Sequence, residues 1–199
     1  MKGRIININK DRTLFPHKSF FFNQGITCLI GKNGSGKTLL IKEIANNLKE
    51  DKIPYYYYDA YAEGGKVAKD KLKSLKNTER LVELQLASQG QQSIINIKNV
   101  LIDKIGPFVS ECVKNKSKEA WILLDSIDTG LSVDNIIGIK EFFKTILEDC
   151  EANQIVLYLV VSGNSFELVK DEQSIDVVTG SRIRLKNYEM FKKVIIRSK

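Results

Sequence analysis

Gly31-Lys32-Asn33-Gly34-Ser35-Gly36-Lys37-Thr38 fits G-x-x-x-x-G-K-[ST] at every fixed position. The apolar run before it, Ile26-Thr27-Cys28-Leu29-Ile30, reads as a buried strand. The run after it, Leu39-Leu40-Ile41-Lys42-Glu43-Ile44-Ala45, carries apolar residues at helical spacing. Strand, glycine loop and helix in that order are the setting a phosphate-binding P-loop requires. Glycines let the backbone turn tightly and aim N–H groups at phosphate oxygens. The helix opening near Gly36 adds the positive end of its dipole. On this reading Asn33, Gly34, Ser35 and Gly36 cradle phosphates. Lys37 reaches the β- and γ-phosphates, and the Thr38 hydroxyl is offered to Mg2+. A glycine turn without a ligand would make Lys37-Thr38 a coincidence.

Working outward, strands are expected over Lys2 to Asn9 and Ser19 to Phe22, before the P-loop strand. They predict a small antiparallel sheet attached to the main one. The P-loop helix is expected to run to about Leu48, and Tyr55 to Asp59 is a strand of strong β-formers. Val67 to Gln85 is lysine-rich with a helical pattern. A further helix carries Ile94, Ile97, Leu101 and Ile105, and Gly106-Pro107 is expected to end or kink it. Ala120 to Asp125 is an apolar strand closing on a carboxylate. Ser132 to Leu147 is a helix, with a turn over Glu151 to Asn153. Ile155 to Val161 is apolar throughout and reads as a central strand buried on both faces. Short strands around Thr179-Gly180-Ser181 and a closing helix over Asn187 to Arg197 complete the chain. The pattern predicts an α/β fold: a P-loop NTPase with a mostly parallel central sheet flanked by helices. A small N-terminal antiparallel β subdomain is added, and residues 1–199 form a single domain.

The composition agrees with a globular protein. Of 199 residues, 43% are hydrophobic and 28% charged, and no apolar run reaches the ~20 residues a membrane span needs. The N-terminal residues lack the apolar core of a signal peptide, which points to a cytoplasmic protein without membrane contact. Cys28, Cys112 and Cys150 are widely spaced and read as free thiols. The net charge of +7 gathers in two regions, Lys66 to Arg80 and Arg182 to Lys199. Such surfaces either contact nucleic acid or are simply solvated. His17 is the sole histidine, which excludes histidine triads and two-histidine metal sites.

Asp125, at the end of an apolar strand, is placed to hold Mg2+ beside the P-loop, as a Walker B carboxylate does. Ser88-Gln89-Gly90-Gln91-Gln92 opens a helix. Asp125 to Ser132 follows the carboxylate strand, and Ser162-Gly163-Asn164 ends the next one. Together these stretches, in this order, resemble the ABC ATPase superfamily from about Lys2 to Leu185. Ser88, Gly90 and Gln91 match the superfamily's L-S-G-G-Q signature, whereas Ala87 and Gln89 depart from it. Only about fifty residues separate Thr38 from Ser88. That spacing resembles soluble chromosome-maintenance and phage-type heads more than transporter subunits. The resemblance implies that two copies of the chain sandwich two ATP molecules head to tail. Ser88, Gly90 and Gln91 of one copy would then meet the γ-phosphate held by the other.

The pattern breaks at the chemistry. The superfamily places Glu directly after the Walker B Asp to polarise water; here that residue is Ser126. Its switch histidine has no counterpart, and Asn164 stands near the place. Asn hydrogen-bonds phosphate but carries no proton at neutral pH. Asp128 is a substitute carboxylate or a dimer-contact residue, and Asp59 is a further metal-capable residue. The expectation is an ATP hydrolase, with Lys37, Asp125, Ser126, Asp128 and Asn164 at its reaction centre. It binds ATP and Mg2+ firmly, hydrolyses slowly or with a partner, and acts as an ATP-dependent homodimer on nucleic acid or another protein. A non-hydrolysing regulator is the alternative, and a small-molecule kinase a further one. The kinase reading lacks its arginine-rich lid, since no arginine lies between Ser88 and Arg182.

Overall fold

The computed structural model describes residues 3–8, 15, 17, 19–60, 97 and 99–197. Eight strands and five α-helices are built from them. In chain order they are β1 (Gly3–Asn7), β2 (Ser19–Asn23), β3 (Gly25–Ile30), α1 (Lys37–Glu50), β4 (Tyr55–Asp59) and α2 (Gly106–Lys114). There follow β5 (Glu119–Asp125), α3 (Val133–Ala152), β6 (Val156–Ser162), α4 (Phe166–Val169), β7 (Gln173–Asp176), β8 (Arg182–Arg184) and α5 (Tyr188–Arg197).

The main sheet has the order β4-β5-β6-β3-β7-β8. All its pairs are parallel except β7 with β8. β1 and β2 form a separate antiparallel pair. The α/β P-loop NTPase fold read from the sequence is therefore the fold observed. β5 is not the neighbour of the P-loop strand. β6 lies between them, so Asp125 faces the P-loop across the end of β6.

Parallel strands buried on both faces must be apolar at consecutive positions. β5 shows why. Ala120, Ile122 and Leu124 enter one core with α2 and α3, whereas Trp121 and Leu123 enter a second core with α1. The first core takes Ile136, Ile139, Phe143, Ile146 and Cys150 from α3, spaced three or four residues apart as a helix face requires. In the second, the Trp121 ring stacks on Tyr158 with centroids 4.3 Å apart, and Phe22 of β2 meets its edge at 5.6 Å. Ile6, Phe20 and Phe22 bring the small sheet into this core. Arg4 pins it from outside, pairing with Asp51 and donating to Glu119 at 3.2 Å.

One open boundary is decided and one is corrected. Of the end or kink expected at Gly106-Pro107, the end does not occur: residues Leu101–Ile105 form a π-helical turn that runs directly into α2. Proline removes one N–H and crowds the preceding turn. The wider turn absorbs this, with the Gly106 N–H reaching back to the Leu101 carbonyl. Further on, α3 continues through Ala152, and the turn falls at Asn153-Gln154, where Gln154 has a positive φ of 60°. The helix expected over Val67 to Gln85 lies outside the described residues.

Candidate functional site

The carboxyl ends of the five parallel strands lie along one edge, and each carries its loop there. In open α/β sheets this edge, at the point where strand order reverses, is where ligands bind. The strand-end residues here include Asp59, Asp125, Ser162 and Asp176. The P-loop leaves β3 in their midst. Gly34 and Gly36 hold φ angles of 79° and 100°, a region that penalises any residue with a Cβ. At Gly36 an added Cβ would also lie 3.1 Å from the Phe15 ring, so this glycine answers to packing as well as to the turn.

The loop forms one wall of a cleft of about 470 Å3. Asn33, Gly34, Ser35, Gly36, Lys37 and Thr38 line it, joined by Ser126 and Asn164 from the far strands. Leu39 and Lys42 of α1 complete the lining. Lys42 escaped the sequence reading, although its position four residues after Thr38 puts both on one helix face.

Lys37 is buried to 8% exposure. Its ammonium donates to the Gly31 carbonyl at 2.7 Å, to the Lys32 carbonyl at 3.2 Å and to Asn164 Oδ1 at 3.2 Å. Burial pushes its pKa below the ordinary 10.5, with Asp125 and Asp128 pulling the other way. The lysine thus bridges the P-loop and the loop after β6.

Asp125 is 1% exposed. Its Oδ1 accepts from the Ser162 hydroxyl, and that same Ser162 Oγ accepts the Ser126 backbone N–H at 2.9 Å. Ser162 therefore fixes the carboxylate across the strand boundary, a role not evident in the sequence. Asp125 Oδ2 is buried with no hydrogen-bond partner among the described residues. A buried carboxylate oxygen left unpaired is costly, and a cation or its water relieves it. Thr38 lines the cleft and supplies a hydroxyl, whereas Asp125 lies behind Ser126, which lines it. These donors fit a magnesium ion, whose affinity is for few protein oxygens plus phosphates. Asp59 stands in register with Asp125 on the neighbouring strand but does not line the cleft; the Tyr57 hydroxyl donates to it at 3.4 Å.

Ser126 occupies the expected Glu position. It adopts φ of 55°, and it lines the cleft. Asp128 is engaged by the loop after β6. Its Oδ2 accepts the backbone N–H groups of Asn164, at 2.7 Å, and of Ser165. Burial raises its pKa, opposed by those two hydrogen bonds and by Lys37. Asp176, at the end of β7, is spent on its own turn, accepting from Val178 N at 3.0 Å and Thr179 Oγ1 at 2.9 Å. Ser88, Gly90 and Gln91 lie outside the described residues. Among the described residues no helix is long and apolar enough to cross a membrane.

A phosphate cradle, a buried lysine and an unpaired strand-end carboxylate on this sheet define a P-loop ATPase. A family model agrees: that of the ATPase family associated with various cellular activities (AAA) matches residues 27–173. The chain belongs to this family of ATP-binding ATPases. No curated protein matches it. Among solved structures it is similar to the ADP conformation of an ATP-binding cassette of an ABC transporter. That similarity has 15% identity and a TM-score of 0.45, covering 98% of this chain and 94% of the other.

Proposed function

We propose that the chain is a slow ATPase that works as an ATP-gated switch, two copies closing head to tail on two nucleotides. One observation supports slow hydrolysis above the rest: among the described residues, those lining the cleft include no carboxylate or histidine where water would be activated. Ser126 and Asn164 line it, and neither takes a proton at neutral pH. Asp128, the nearby carboxylate, is bound to backbone N–H groups. General-base assistance is worth about 10²–10⁴-fold in rate. Without it, the P-loop N–H groups, Lys37 and a bound cation still stabilise charge on the phosphates. Magnesium, held by Thr38 and Asp125, supplies neutralisation of the phosphate oxygens when bound.

The dimer is supported by the sequence of Ser88 to Gln92. ATP-dependent dimerisation, followed by size-exclusion chromatography, is the test. It is expected with ATP and Mg2+, and expected to vanish in Lys37→Ala and Ser88→Arg. An unchanged monomer with ATP sinks the sandwich. A steady-state turnover of the isolated chain well above ~10 s⁻¹, about the median for enzymes, sinks the slow-hydrolysis part.

The soluble head type and a nucleic-acid or protein partner belong to the same proposal. Arg182, Arg184, Lys186, Lys192 and Lys193 are all exposed, which supports a basic contact face. A regulator that binds ATP without hydrolysing it is the second reading, favoured by Ser126 and Asn164 alike. Single-turnover hydrolysis at high protein concentration separates the two.

A further inference from the structure

We infer that Asp128 is a positioning residue: its carboxylate latches the loop after β6 so that Asn164 is held over Lys37, where the γ-phosphate of ATP must arrive. The inference rests on reading Asn164 as a γ-phosphate contact.

Asp128 and Asn164 come from different strand ends, thirty-six residues apart. A single oxygen, Oδ2, takes both the Asn164 and Ser165 N–H groups. Hydrogen bonds to a charged acceptor are stronger than neutral ones, and two successive N–H groups bound to one oxygen fix the loop's direction as well as its distance. The fit is close. A Cβ placed on Gly163 would lie 2.8 Å from both Cγ and Oδ2 of Asp128 and 2.4 Å from Leu168 Cδ2. Leu168 and the Asp128 carboxylate together occupy the space a side chain at residue 163 would need.

The consequence is read at Asn164, whose Oδ1 accepts from Lys37 Nζ at 3.2 Å. A γ-phosphate draws the ammonium to itself and leaves the Asn164 amide facing the same anion, to which it donates through Nδ2. ADP has no phosphate at that place. The latch therefore acts on ATP and not on ADP. One oxygen of the Asp128 carboxylate is thus an acceptor twice over.

The test uses the full chain. Affinities for β,γ-imido-ATP and for ADP, both with Mg2+, are measured by calorimetry for the wild type, Asp128→Ala, Asp128→Asn and Gly163→Ala. Steady-state hydrolysis is measured alongside. The wild type is expected to prefer the ATP analogue. Asp128→Ala is expected to lose about ten-fold or more of that preference, the scale of a hydrogen bond to a charged group, with ADP affinity unchanged. Unchanged ADP affinity also reports an intact P-loop and fold. Gly163→Ala is expected to follow Asp128→Ala. Asp128→Asn is expected to keep the preference within about three-fold, because an amide oxygen in the Oδ2 place accepts both N–H groups.

Three results overturn the latch. One is a wild type with equal affinity for both nucleotides. Another is a preference unchanged in both Asp128→Ala and Gly163→Ala. The third is hydrolysis lost equally in Asp128→Asn and Asp128→Ala while the preference stays, which makes Asp128 the base. Dimer formation is scored separately, so a missing dimer counts against the sandwich and leaves the latch standing on the affinity ratio.

Discussion

Lys37 carries its charge in a place that resists it. Only the ammonium attracts a phosphate, so ATP affinity depends on that group keeping its proton. Burial lowers the pKa below 10.5 in the nucleotide-free protein. Affinity is therefore level while pH stays below the lowered value, and declines about ten-fold per unit above it. The decline begins at a pH below 10.5, earlier than for a solvated lysine. Fluorescent-nucleotide titrations between pH 8 and 11 check this, with Lys37→Arg expected to stay level; a wild-type curve that stays level up to pH 10.5 contradicts it. Ser126 offers a second residue-scale prediction. It lines the cleft directly after Asp125, so Ser126→Glu places a carboxylate where the proposed water activation needs one. Turnover is expected to rise about ten-fold or more, within the range general bases supply. An unchanged single-turnover rate means that the missing carboxylate is not what limits hydrolysis.

Among the elements, what the sequence disclosed and what it hid divide by distance along the chain. The P-loop was legible because its parts are neighbours: strand, glycines, lysine and helix fall within twenty residues, and each residue type has one backbone or charge role. β5 and β6 were legible because two-sided burial forces continuous apolar runs. The Asp125–Ser162 and Asp128–Asn164 contacts were not, since each joins residues 36 or 37 positions apart, and neither serine nor aspartate announces its partner. The insertion of β6 between β3 and β5 was hidden for the same reason, because strand order is a tertiary fact. Gly106-Pro107 left an end and a kink both open, and a π-helical turn there accommodates what would break a regular helix. α3 shows the energetics of the legible kind. Phe143 is fully buried where α3 packs on the sheet, and Phe143→Ala is expected to cost about 3–5 kcal/mol. Urea unfolding measures this, and a loss below about 1 kcal/mol would mean that α3 is not packed there as described.

At the scale of the whole molecule, the cleft lies between the P-loop on β3 and the ends of β5 and β6, so nucleotide ties together strands that the sheet already pairs. Binding to the folded state alone raises stability by mass action, about 2.7 kcal/mol at a hundred times Kd. For a chain of this size each kcal/mol moves Tm by about 2–4 °C. Saturating ATP or ADP with Mg2+ is thus expected to raise Tm by about 5–10 °C, and Lys37→Ala is expected to remove most of the rise. The two nucleotides should then part company. If two copies close on ATP, dissociation becomes part of unfolding, and Tm with a non-hydrolysable ATP analogue climbs as protein concentration increases. With ADP it stays independent of concentration, because half a site bound to ADP has no γ-phosphate for a second copy to grip. Differential scanning fluorimetry over a hundred-fold concentration range distinguishes these cases. Parallel, concentration-independent curves for both nucleotides would make the chain an ATPase that completes its site alone.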